Sequence, residues 1–121
     1  MGASTQRLEE VARTLSRLWD DGDLDAVRDL YRDDAVFISP TPPNLGDFGT
    51  ILHGRAEILR YYAACLEVIP RGAVTTIAVL TGIDMAVWVW DAGPAGTGAD
   101  VVMFDDGGHI VSQHVTTPKP G

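Results

Sequence analysis

At 121 residues with 45% hydrophobic side chains, the chain is long enough for one domain with a real core and too short for two. Its 17 acidic residues against 9 basic ones leave a net charge of −8, and its only lysine is Lys119, so no cationic surface is available for nucleic acid. No apolar run nears the ~20 residues of a membrane span, the first residues lack an apolar leader core, and the single cysteine, Cys65, permits no internal disulfide; the expected location is the cytoplasm.

Leu8, Val11, Ala12, Leu15, Leu18 and Trp19 recur at three- and four-residue spacing, which predicts an amphipathic helix over 6–20 capped by Ser4 or Thr5. Asp20-Asp21-Gly22 ends it. Asp23 then caps a second helix that carries Leu24, Val27, Leu30 and Tyr31 and closes at Asp33-Asp34. Ala35 to Ser39 reads as a short strand stopped by Pro40. Residues 40–53 hold three prolines and two glycines, yet also Leu45, Phe48, Ile51 and Leu52, so they are expected to fold down as a cover loop. Gly54 leads into a third helix, Arg55 to Val68, with a buried stripe of Ile58, Leu59, Tyr62 and Leu66; Cys65 sits in it as an inert buried thiol.

The remainder is strand: Val74 to Leu80, Met85 to Trp90, Ala99 to Phe104 and Ile110 to Thr117, joined by turn residues into an antiparallel meander. Helices followed by strands define an α+β domain spanning 1–121, with a flexible tail over 117–121. One residue in this stretch does not fit a plain core. Asp100 shares a strand face with Val102 and Phe104, where an ionised carboxylate costs several kcal/mol unless it is paired, reaches water or lines a cavity.

Four phrases occur in a telling order: Trp19-Asp20-Asp21-Gly22-Asp23-Leu24-Asp25; Leu30-Tyr31-Arg32-Asp33-Asp34-Ala35-Val36; His53-Gly54-Arg55-Ala56-Glu57-Ile58 with Tyr61-Tyr62; and Phe104 through Ser112. Together they resemble the NTF2-like superfamily, and within it the SnoaL-like polyketide cyclases and ketosteroid isomerases. The resemblance implies a cystatin-like cone of three N-terminal helices on a curved antiparallel sheet, with the active site at its mouth. It also implies a homodimer, a small hydrophobic ligand and no cofactor. Asp100 falls where the isomerases keep an oxyanion-hole acid, held protonated by its apolar site so that it donates a hydrogen bond. Tyr31 and Tyr62 fall on positions of a supporting tyrosine network. Ser39 stands where the isomerases carry their proton-shuttling aspartate, and Leu15 where they carry a tyrosine donor.

With Ser39 in that place, His53 is the candidate replacement base, expected to face Asp100 across the cavity if the cover folds over it. Gln113, Tyr62 and Ser39 are expected to orient the ligand, with Leu15, Val102 and Phe104 beside them. His114 is expected on the convex face, His109 in a solvated turn, and Asp47, Asp84 and Asp91 in solvent. The comparison favours Met85, Val87 and Val89 toward the cone, leaving Trp88 and Trp90 as a convex dimer contact; a one-residue register shift would exchange the two sets. No residues have metal-ligand spacing. The expected activity is cofactor-independent acid/base chemistry, an isomerase, cyclase or dehydratase acting on a carbonyl or enol, with Asp100 as general acid or oxyanion donor. Two alternatives stand beside it: a non-catalytic binding or accessory module, and an epoxide hydrolase, which would need an Asp-Arg-Asp relay for which second carboxylates are poor.

Overall fold

In a computed structural model that describes residues 2–40 and 48–116, Ser4 accepts the Arg7 N–H at 3.1 Å and starts α1 (Thr5–Asp21). Gly22, at φ 69°, ends it by donating to the Leu18 carbonyl, a left-handed conformation that glycine adopts without strain. Asp23 caps α2 (Leu24–Arg28). This helix is shorter than its apolar spacing predicts. The Leu30 carbonyl accepts the Ile110 N–H at 2.7 Å, so the chain is captured by a strand and Tyr31 opens β1 (Tyr31–Ile38) instead of closing the helix.

Part of the expected cover is also strand: β2 (Ile51–His53) pairs antiparallel with β1, setting Leu52 opposite Phe37. Residues 41–47, including Leu45 and Asp47, and the tail from 117 lie outside the described residues. α3 (Arg55–Val68) occupies its predicted range, burying Ile58, Tyr61, Tyr62 and Cys65, while Leu59 and Leu66 are only half-buried. Then follow β3 (Thr75–Gly82), β4 (Met85–Asp91), β5 (Thr97–Phe104) and β6 (Ile110–Thr116). The six strands form one sheet in the order β2-β1-β6-β5-β4-β3. The meander β3 to β6 is antiparallel as expected, whereas β1 joins β6 in parallel, making the sheet mixed.

Register sorts the side chains into two faces. One row, Leu52, Phe37, Gln113, Val102 and Ala86, is buried against α1 and α3 and defines the concave face. The next concave row is Val115, Asp100, Trp88 and Val79. Leu8, Val11, Leu15 and Leu18 of α1 complete this core, each contributing roughly 1.5–3 kcal/mol by burial. The tryptophans therefore correct an expectation. Trp88 stands opposite Asp100 and Trp90 opposite Gly98, so both indoles lie on the concave side, and Met85, Val87 and Val89 face outward. They are not a convex dimer contact.

Gly98 is the physical reason the indole fits. A Cβ there would come within 2.5 Å of the Trp90 ring and of the Thr116 carbonyl. Gly98→Ala is expected to destabilise the fold by about 1–3 kcal/mol through overpacking against backbone, read as a lower midpoint in urea unfolding with an unchanged slope.

Candidate functional site

Asp100 sits near the middle of β5, 5% exposed, with both carboxylate oxygens engaged. Trp90 Nε1 donates to Oδ1 at 2.8 Å and Gln113 Nε2 donates to Oδ2 at 2.6 Å. Behind it, Tyr31 donates its hydroxyl to Gln113 Oε1 at 2.5 Å, and the Tyr31 and Tyr62 hydroxyls lie 2.7 Å apart. Tyr62 also reaches Gln113 Oε1 at 3.3 Å. Because Gln113 turns its amide nitrogen to the carboxylate and its oxygen to the phenols, the donors line up in one direction: Tyr62 to Tyr31, Tyr31 to Gln113, Gln113 to Asp100. Everything in the chain donates toward the acid.

Desolvation pushes the Asp100 pKa up to about 6, and the hydrogen bonds from Trp90 and Gln113 pull against that rise. An acid with that value is mostly ionised at neutral pH. Burial likewise raises the phenols of Tyr31, Tyr62 and Tyr61 well above their ordinary range, with the negative Asp100 adding to each shift, so all three remain neutral donors. Burial also raises the Cys65 thiol, in keeping with an inert cysteine.

Exposure orders these groups by depth. Leu15, Tyr31, Tyr62, Val102 and Gln113 are at most 2% exposed, so their side chains are buried in protein. Phe104 is buried as well. Trp90, Val115 and Val79 are half-buried, and Tyr61 stacks edge-on against Phe48 at 5.4 Å. Ser39 is buried just past the end of β1, its N–H donating to the Thr50 carbonyl.

His53 is not brought to Asp100. Leu52 takes the concave side of β2, which turns His53 outward; it is exposed, and its N–H meets Glu57 Oε1 at 3.3 Å. His114 is exposed on the convex face as expected, and His109 is exposed in its turn. Asp84 departs from expectation: it is half-buried at φ 51°, and its Oδ1 has no hydrogen-bond partner. An open polar depression of about 540 Å³, lined by Tyr31, Arg32, Asp33, Asp34, Arg55 and His109, lies apart from Asp100. Both its arginines pair with carboxylates, Arg55 with Asp33 at 2.5 Å and Arg32 with Asp34 at 3.1 Å. Among the described residues no three His, Cys, Asp or Glu side chains converge as for a metal, and no helix is long and apolar enough to cross a membrane.

Sequence reasoning missed Trp90 as a partner of Asp100. The signal was present: Gly98 lies two residues before Asp100 on the same face, leaving a gap over which an indole from the next strand can lie.

Helices packed on a curved mixed sheet, with an acid on the concave face, define an NTF2-like, cystatin-like protein. Residues 11–113 match the SnoaL-like domain, and the chain belongs to that family. No curated protein matches it. Among solved structures it is similar to a SnoaL-like protein of unknown function from Burkholderia thailandensis, at 20% identity over 98% of this chain and 100% of that one, TM-score 0.83. It is also similar to a candidate ketosteroid isomerase from Kribbella flavida, at 16% identity over 97% and 82%, TM-score 0.70. A de novo designed protein with a curved β-sheet matches at 13% identity over 96% and 88%, TM-score 0.75. At such identities these likenesses show the fold alone.

The raised Asp100 pKa fixes the sign of a pH effect. The folded state holds this proton up to about pH 6 and the unfolded chain only to 3.8, so the associated stability is present below pH 3.8 and lost as pH rises through 6. Between pH 4 and 7, wild type is expected to lose on the order of 3 kcal/mol relative to Asp100→Asn, measured by chemical denaturation of both proteins across that range.

Proposed function

We propose that this chain is a cofactor-independent acid/base catalyst, an isomerase, cyclase or dehydratase, acting on a small hydrophobic carbonyl or enol compound of polyketide or steroid-like character. The observation that carries it is Asp100: a buried acid on the concave face, with a pKa near the working pH and donors converging on both oxygens. Those donors and a value of about 6 favour a carboxylate that takes a proton, in place of the neutral oxyanion donor suggested by the isomerase comparison. Asp100 would remove a proton α to the carbonyl, leaving an enolate, and return it at a second carbon or to a leaving group. Trp90 and Gln113 hold the carboxylate in place, and the apolar wall keeps water away. Ser39 would orient the ligand from the end of β1. His53, turned outward, has no part in this step. The partners of Asp100 are an indole and an amide, not an arginine, so an epoxide-opening relay gains no support.

A second reading has an observation of its own. Both oxygens of Asp100 are already satisfied and the network behind it is fully buried, as a structural element of a binding module would be. The two readings separate by α-proton exchange into D2O, followed by NMR with enolisable steroid-like and polyketide-like ketones. The catalytic reading expects exchange that rises with pH to a plateau with a midpoint about 6, and a loss of about 10²-fold or more in Asp100→Asn at an unchanged fold. Binding without exchange, or equal exchange in the variant, would favour the module. We further propose that the working form is a homodimer, as the family resemblance implies.

A further inference from the structure

Eight arginines supply nearly all the positive charge of a chain with 17 acidic residues, and seven of them are engaged. Arg7, Arg13, Arg28, Arg32 and Arg55 pair with carboxylates. Arg17 donates to the Thr14 hydroxyl and Arg71 to the Leu66 carbonyl. Arg60 does neither. It is exposed on α3, and among the described residues its guanidinium has no ion pair and no hydrogen bond; it lies over the ring of Phe48, 5.0 Å from the centroid.

A carboxylate stands within reach. Glu57, three residues earlier on α3, has the spacing of a helical ion pair, yet it accepts the His53 N–H and is not paired with Arg60. A benzene face attracts a cation without accepting its N–H groups. Among the described residues, all five donors of the guanidinium fork are therefore left for a further partner.

The ring beneath the cation leads inward. Phe48 is half-buried and meets Tyr61 edge-on at 5.4 Å; Tyr61, 9% exposed, packs on Phe37 at 5.3 Å. Phe37 stands opposite Gln113, which donates to Asp100. Tyr61 also lies within the field of the acid, its phenol being raised first by burial and further by the negative Asp100. An exposed cation, an aromatic wall and a buried acid follow one another from solvent to the concave face.

We propose that the hydrophobic carbonyl compound taken by this site is a keto acid, its apolar body along Phe48 and Tyr61, its carbonyl toward Asp100 and its carboxylate on Arg60. This rests on the site put forward above and adds the charge and orientation of its ligand. Charge balance selects a carboxylate. The net charge of −8 repels an anion in general, so an anionic ligand needs a local cation, and Arg60 is the arginine that no acid of the described chain has taken. One guanidinium offsets one negative charge, and its planar fork matches the two oxygens of a carboxylate. A phosphate, with nearly two charges, would keep one uncompensated.

Isothermal titration calorimetry of the full chain at pH 7.5 and low salt tests this. The probes are 4-oxo-4-phenylbutanoic acid, its longer ω-benzoyl homologues, and their methyl esters, which keep ring and ketone but lose the charge. Wild type is expected to bind the best-fitting acid about 5-fold more tightly than its ester, the scale of an exposed ion pair, and added NaCl should shrink the difference. Arg60→Gln should bind acid and ester alike, and Arg60→Lys, with the charge but not the fork, should retain part of the preference. Arg17→Gln makes the same change of net charge on α1 and should keep all of it, with far-UV circular dichroism confirming that each variant is folded. Equal binding of acid and ester by wild type, no binding of any acid in the series, or a preference that survives in Arg60→Gln overturns the proposal. The titrations need no turnover. An ester that exchanges its α-protons with no preference for the acid removes the keto acid alone; a preference for the acid without exchange removes the catalytic reading alone.

Discussion

The amide of Gln113 is the constraint on which the concave face depends. It is 1% exposed and must both accept from a phenol and donate to a carboxylate. Only one orientation does both, because a flipped amide would set its N–H against the Tyr31 hydroxyl and its oxygen against Asp100. That one side chain links β6 to β5 through Asp100, to β1 through Tyr31, and to α3 through Tyr62. A half-satisfied version of the same cluster would be worse than an apolar core, since each orphaned polar group costs roughly 1–3 kcal/mol.

The cluster also sets the character of the acid. Burial alone would drive Asp100 toward the neutral form, as in a hydrogen-bond donor for an oxyanion. Two N–H groups oppose this, and the balance leaves a carboxylate poised close to neutrality. A designed protein with a curved β-sheet shares the fold of this SnoaL-like chain at 13% identity. Function on this scaffold is a matter of what is mounted on the concave face.

Much of this was legible in the residues, for identifiable reasons. α1 carries strong apolar periodicity behind a serine cap, α3 is bracketed by Gly54 and Pro70, and Asp100 stands out as a charge in an apolar alternation. The boundary between α2 and β1 was not legible, because Leu24, Val27, Leu30 and Tyr31 satisfy a helical spacing equally well until Ile110, eighty residues away, claims the Leu30 carbonyl. The inward face of β4 was hidden for a related reason. Apolar side chains occupy both faces, so alternation cannot choose between them, and only pairing against Gly98 and Asp100 decides. His53 was misplaced because its direction follows from the three-residue β2, which lies inside a stretch rich in proline and glycine.

The parallel pairing of β1 with β6 has a bearing on how the molecule is made. The antiparallel strands from β3 onward are near neighbours in the chain and can zip by short turns, and β1 pairs early with β2, but its other edge must wait for β6. On a ribosome, Tyr31 emerges long before Gln113 does. The two ends of the hydrogen-bonded chain behind Asp100 therefore meet only once β6 has been made, and a nascent chain that stops short of β6 holds the acid without the apparatus that steadies it.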